Sequence, residues 1–126
     1  MVMGSLKQET EVAVIGAGPG GYVAALHAAD LGLEVTLVEE RKRSGGVCLI
    51  EGCIPSKTLI HLTELAQEVR NAEKMGLKIQ GLKLDPAAMR QWKETVIDAL
   101  SKGIDQLCKS RGVEVVRGRA RFQDGH

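Results

Sequence analysis

Aromatic residues are almost missing: one Trp, one Tyr and one Phe make up 2% of the 126 residues. That leaves no stacking platform for single-stranded nucleic acid. A basic excess is missing too, with 17 Lys and Arg against 16 Asp and Glu and a net charge of +1. Proteins that grip a duplex carry a basic patch or stripe, so nucleic acid is not expected as a partner. No apolar run approaches the roughly 18 residues that suggest a membrane span, and no membrane association is expected. Residues Met1–Thr10 are polar. They hold neither an apolar signal core nor the Arg-rich, acid-poor character of a transit segment, so a cytoplasmic protein is expected. Cysteines number three, too few and too odd for a structural disulfide framework. Two of them, Cys48 and Cys53, lie close together, and in a reducing compartment such a pair points to chemistry.

What is present suits one packed domain: 44% hydrophobic and 26% charged residues. Glu11–Ile15 reads as a buried strand. Pro19–Leu31 reads as a helix with Val23, Leu26 and Ala29 on its packing face, and Leu33–Val38 as a second strand. Strand, helix, strand within about 30 residues is the βαβ unit. Residues 39–47 read as a loop, and the spacing of Leu59, Leu62, Leu65, Ala66 and Val69 predicts a helix over Pro55–Met75, stopped at Gly76. Asp85-Pro86 starts another helix, with a capping carboxylate followed by proline in the first turn. Its stripe of Met89, Trp92, Val96, Leu100, Ile104 and Leu107 is expected to face the core. Val113–Arg117 reads as a third strand, and Gly118–Phe122 as a turn or paired strand.

Gly16, Gly18 and Gly21 form G-x-G-x-x-G between the first strand and the first helix. The first glycine permits the tight turn, the second lets a pyrophosphate approach the backbone, and the third lets the helix lie close on the strand. Pro19 and Gly20 complete the turn, where unpaired amides and the helix dipole favour an anion. Glu39 follows Gly21 by 18 positions, where a carboxylate can accept from adenosine ribose hydroxyls and disfavour a 2′-phosphate. The bland alternative is a structural turn with a solvated glutamate.

Cys48 and Cys53 would sit with Cα atoms about 8–9 Å apart on an ideal helix, whereas a disulfide needs less than about 7 Å. If the pair bonds, the segment must therefore be distorted, and Gly52 and Pro55 would permit it. A bridge distorted in this way should be reducible, its thiolate favoured by the helix start and by Lys57. Two inert thiols or half of a metal site remain alternatives, although zinc pairs usually have two to four intervening residues. No metal is expected.

Together, the glycine loop, Glu39 and the stretch GGVCLIEGCIPSK at residues 45–57 resemble the class I pyridine nucleotide–disulfide oxidoreductases, most closely their dihydrolipoyl dehydrogenase branch. The likeness extends through Trp92-Lys93-Glu94 and Gly118–Phe122. It implies an α/β fold, a partial Rossmann-like FAD-binding domain in three layers with a parallel sheet. It implies FAD as cofactor, with Gly16, Gly18, Pro19, Gly20, Gly21, Glu39, Glu40, Gly46, Val47, Cys48, Lys57, Gly118 and Ala120 around it. By the same resemblance Cys48, Cys53 and Lys57 are catalytic: Cys53 is the flavin-side thiolate, Cys48 exchanges with the dithiol substrate, and Lys57 lies near flavin N5. NAD would take the electrons at a site outside this stretch. Residues 1–126 are then expected to be the N-terminal part of the FAD-binding domain, inactive alone, without the nicotinamide and dimerisation domains of the full-length homodimer. The implied partner is the lipoamide-bearing acyltransferase of a 2-oxo acid dehydrogenase complex or a glycine cleavage carrier. Mercuric or glutathione reductase-like chemistry, or a non-catalytic FAD-binding module, are the alternatives. Ile50 departs from the family's usual asparagine.

His27, His61 and His126 carry no expected role. Cys108 and Trp92 are expected in the core, and the alternation of Arg117, Arg119 and Arg121 is expected to put one side of a strand in water.

Overall fold

The computed structural model describes residues 9–123. Three strands, β1 (Val12–Ile15), β2 (Val35–Glu39) and β3 (Glu114–Arg117), form one sheet. All pairs are parallel and the order is β1-β2-β3, with Val12 opposite Val35 and Thr36 opposite Glu114. Each strand is rich in β-branched residues, which suit a pleated, packed surface. Parallel neighbours need crossover connections, and helices supply both. Helix α1 (Pro19–Asp30) joins β1 to β2. The longer return to β3 carries α2 (Gly46–Ile50), α3 (Cys53–Ala72), a 3₁₀ turn at Glu73–Met75 and α4 (Pro86–Ser110). This is the α/β, partial Rossmann-like architecture expected, and among the described residues it comprises a helical layer and the sheet.

Strand alternation sorts the sheet's two faces. Val35 and Leu37 point to the helices and join Ala25, Leu26, Ile104, Cys108 and Val113 in the core, with Val12, Val14 and Val115 packed beside them. Fully burying a side chain such as Leu37, which is 0% exposed, contributes about 1.5–3 kcal/mol. On the other face, Ile15 and Val116 remain open among the described residues. Helices α1 and α4 touch one another as well as the sheet, and α3 packs on α4.

The start of α4 is as the sequence indicates: the Asp85 carboxylate accepts from the amides of Ala87 at 2.9 Å and Ala88 at 3.1 Å, and Pro86 opens the helix. Gly76, in the left-handed region, closes the 3₁₀ turn.

Several expectations are corrected. The 39–47 stretch is not all loop, because Glu39 ends β2 and α2 begins at Gly46. Helix α3 begins at Cys53 rather than Pro55; a proline in the first turn fits, since amides there have no intrahelical acceptor. Gly118–Phe122 forms no paired strand. Val23 faces outward, while Leu26 and Ala29 pack as expected and Ala25 joins them. On α4 the buried stripe is Ile97, Ser101, Ile104 and Cys108, whereas Trp92, Leu100 and Leu107 are exposed. Apolar residues occupy two neighbouring faces of α4, and the face with smaller side chains approaches the sheet. Cys108 is in the core as expected.

Candidate functional site

The glycine turn is built as its spacing requires. Gly16 has φ +96°, and its amide donates to the Val38 carbonyl at 2.8 Å, tying the end of β1 to β2. A Cβ on Gly21 would collide with the Gly16 carbonyl oxygen, so the start of α1 lies against the turn only because residue 21 has no side chain. No side chain caps α1, so the amides of Gly20 and Gly21 stand at an open helix start. Between this turn, Glu39–Glu40 and Gly118–Ala120 lies a cavity of about 240 Å³. The amide of Gly118 donates to the Glu39 carbonyl at 3.0 Å, which brings the segment after β3 to this cavity.

Glu39 is buried and its carboxylate is already engaged. One oxygen accepts from the Ala17 amide at 2.7 Å, the other from the Arg41 amide at 2.8 Å. Each oxygen keeps a further acceptor site, so Glu39 both shapes the glycine turn and lines the cavity. Glu40 lies on the rim, 4.0 Å from an exposed Arg119.

Ala17 links this turn to the cysteines. It is 0% exposed; its amide reaches Glu39 and its carbonyl accepts from the Gly45 amide at 2.7 Å. One residue on, a Cβ at Gly46 would lie 2.7 Å from the Gly18 Cα, and Gly46 itself has φ +63°. Backbone therefore rests on backbone where α2 starts, and only glycine at position 46 permits it.

The cysteines come next. Cys48 lies in α2 and Cys53 opens α3, with Glu51-Gly52 breaking the helix between them. Gly52, at φ −119° and ψ −104°, supplies the distortion that a bonding pair requires; Pro55 does not. The two Sγ atoms face each other at 2.6 Å as free thiols. A cavity of about 130 Å³ is lined by Cys48, Ile54 and the α1 residues Pro19 and Tyr22, so Cys48 adjoins the start of α1. The Cys48 thiol is pushed up from its ordinary value, chiefly by its hydrogen bond to Cys53, then by desolvation and the charge on Cys53; the charge of Lys57 opposes this. Cys48 thus holds its proton more firmly than an isolated thiol does. Lys57 is exposed one turn along α3, as is His61 a turn beyond. Val47 is exposed and Ile50 half-buried. Among the described residues no group of three His, Cys, Asp or Glu converges, and no helix is long and apolar enough to cross a membrane.

A second network escaped the sequence reading. Ser44, 0% exposed, donates to Asp105 at 2.5 Å and accepts from Arg117 at 3.0 Å. Arg117 also reaches both Asp105 oxygens at 2.8 Å and the Arg41 carbonyl at 3.1 Å. Arg117 is therefore not simply a water-facing member of an arginine alternation: β3 ends there and its guanidinium turns to α4. Arg43 adds ion pairs to Glu94 at 2.8 Å and Asp98 at 2.7 Å. Partners so far apart in sequence leave no local pattern; the only local hint is a small polar residue directly before two glycines.

Residues 10–126 match the family model described as pyridine nucleotide-disulphide oxidoreductase. The chain belongs to that family. Among relatives of this family member, the dihydrolipoyl dehydrogenase of Haloferax volcanii is 51% identical over 124 residues, covering 98% of this chain and 26% of the relative. That of Geobacillus stearothermophilus is 46% identical over 126 residues, covering 100% of this chain and 27% of its own. The crystal structure of LpdA from Mycobacterium tuberculosis superposes with a TM-score of 0.76 at 35% identity, over 85% of this chain and 23% of that one. The chain spans about a quarter of the length of these relatives.

Proposed function

We propose that this oxidoreductase chain is the FAD-binding, redox-disulfide part of a dihydrolipoyl dehydrogenase, passing electrons from dihydrolipoamide through Cys48–Cys53 and FAD to NAD. The observation that carries this reading is the facing of the two sulfurs at 2.6 Å, with Cys48 lining a cavity shared with the start of α1.

The residues fit the cofactor. Gly16, Gly18, Pro19, Gly20 and Gly21 offer a diphosphate an open helix start. Glu39, Glu40, Gly118 and Ala120 line a cavity on its adenosine side, and Gly46, Val47, Cys48 and Lys57 lead from there along the sulfur side. Flavin held there would supply a two-electron acceptor for the dithiol.

The chain's own residues perform the exchange. In the oxidised pair, one dihydrolipoamide sulfur bonds to Cys48 as the Cys48–Cys53 bond breaks, and Cys53 leaves as thiolate. The second substrate sulfur then displaces Cys48, closing the substrate's disulfide; substrate loses two electrons and two protons, and the pair gains them. Cys48 is suited to hold a proton beside the Cys53 thiolate. Lys57, one turn along α3, supplies a positive charge nearby. The dithiol would come from a lipoamide-bearing acyltransferase of a 2-oxo acid dehydrogenase complex or a glycine cleavage carrier.

The test uses the oxidised chain with dihydrolipoamide, counting thiols by alkylation and mass spectrometry, alongside FAD titration followed by flavin fluorescence. Two new thiols at Cys48 and Cys53, lost in Cys48→Ser, are expected. A pair that dihydrolipoamide leaves oxidised would sink the proposal.

A further inference from the structure

The segment between Glu39 and Gly46 is held from two sides. On one side Gly45 donates to Ala17 and Gly46 abuts Gly18. On the other, Ser44 is fully enclosed and its hydroxyl is satisfied in both directions, donating to Asp105 and accepting from Arg117. Arg117 spans three groups at once, the Asp105 carboxylate, the Ser44 hydroxyl and the Arg41 carbonyl. No hydrogen bond joins these side chains to Cys48 or Cys53, yet Ser44 directly precedes the two glycines, and Cys48 follows Gly46 by two residues. A buried hydroxyl with donor and acceptor both matched resists displacement, since moving it would strand polar groups out of reach of water.

We propose that Ser44, Asp105 and Arg117 form a positioning latch, which seats α2 on the glycine turn and thereby sets how readily Cys48 and Cys53 form a disulfide. The planar guanidinium suits this role because its donors lie in a fixed fork, which a lysine cannot reproduce. α2 is only five residues long, too short to hold its own position, so its placement depends on what flanks it. With the latch intact the sulfurs are presented to each other; with it cut, α2 gains freedom and the effective concentration of one sulfur at the other falls.

This inference rests on the redox reading of the pair, and one experiment separates the two. The 126-residue chain is equilibrated in buffers of reduced and oxidised glutathione, quenched, and its Cys48–Cys53 disulfide fraction read by thiol trapping and mass spectrometry. The wild-type chain should close the bridge; failure to do so at any glutathione ratio would remove the redox reading and the latch together. Ser44→Ala and Asp105→Asn should each lower the constant for disulfide formation about fivefold or more. Arg117→Lys should fall between them and the wild type. Arg111→Gln, which cuts only the exposed Arg111–Asp30 ion pair, should stay within about twofold. Thermal melts accompany each variant; should Asp105→Asn fail to fold, Ser44→Ala, which removes a single hydroxyl, carries the decision. Folded latch variants with wild-type closure constants would overturn the latch and leave the redox reading standing.

Discussion

At the nucleotide end of the site the working groups are backbone amides and side-chain-free glycines, whereas at the sulfur end they are two side chains on a five-residue helix and the start of its successor. The first end is locked by close approach: Gly21 on Gly16 and Gly46 on Gly18 leave no room for a methyl group. The second end has reactive atoms that face each other across a helix break, Cys53 exposed and Cys48 half-buried. A site made from backbone tolerates almost no added volume, while one made from side chains tolerates change in structure and registers it in chemistry.

Substitutions that exchange these behaviours would break the comparison. The largest loss is expected for Gly21→Ala, whose Cβ meets the Gly16 carbonyl: about 3 kcal/mol of stability or more, read by urea unfolding. A variant as stable as wild type would show that the turn is looser than its contacts imply. Next is Glu39→Ala, which leaves the enclosed Ala17 amide without its carboxylate acceptor and should cost about 1–3 kcal/mol. Because Ala17 also serves Gly45, this variant should change cysteine alkylation as well as stability.

At the sulfur end the effect moves from stability to reactivity. The Cys48 thiol is held up by Cys53, and a raised thiol keeps its proton, so its alkylation is slow at mildly alkaline pH and climbs as pH rises. Cys53→Ala removes that neighbour and should shift the Cys48 alkylation profile to lower pH, with a rate about threefold higher or more at pH 8. A profile that stays put, or moves to higher pH, contradicts the coupling between the sulfurs. The smallest effect is expected for Arg119→Ala. Its side chain is 75% exposed and 4.0 Å from Glu40, so melting should stay within about 0.5 kcal/mol of wild type.

The two ends also differ in how far the sequence disclosed them. Glycine spacing, a following acid and a short gap between cysteines are local signals, because each reflects a constraint between residues near in the chain. The sheet's strands and the Asp85 cap were legible for the same reason. Ser44, Asp105 and Arg117 were not, because nothing about a serine or an aspartate in isolation tells which distant guanidinium it will meet. The outward turn of Trp92 was missed for another reason: α4 is apolar on two adjacent faces, and large side chains on one face outweighed Ile97 and Ser101 on the face that packs. Cys108 illustrates the effect of burial, since desolvation is the leading cause that raises its thiol, whereas for Cys48 the hydrogen bond to Cys53 leads.

Ala17 carries a consequence for how this stretch can change length. Glu39 and Gly45 both return to the same peptide neighbourhood, one through its carboxylate and one through its amide. Residues 39–45 therefore close a small ring whose circumference is fixed. An insertion or deletion there has no slack to absorb it, and would shift α2, and Cys48 with it, relative to the glycine turn. The stretch behaves as a gauge block.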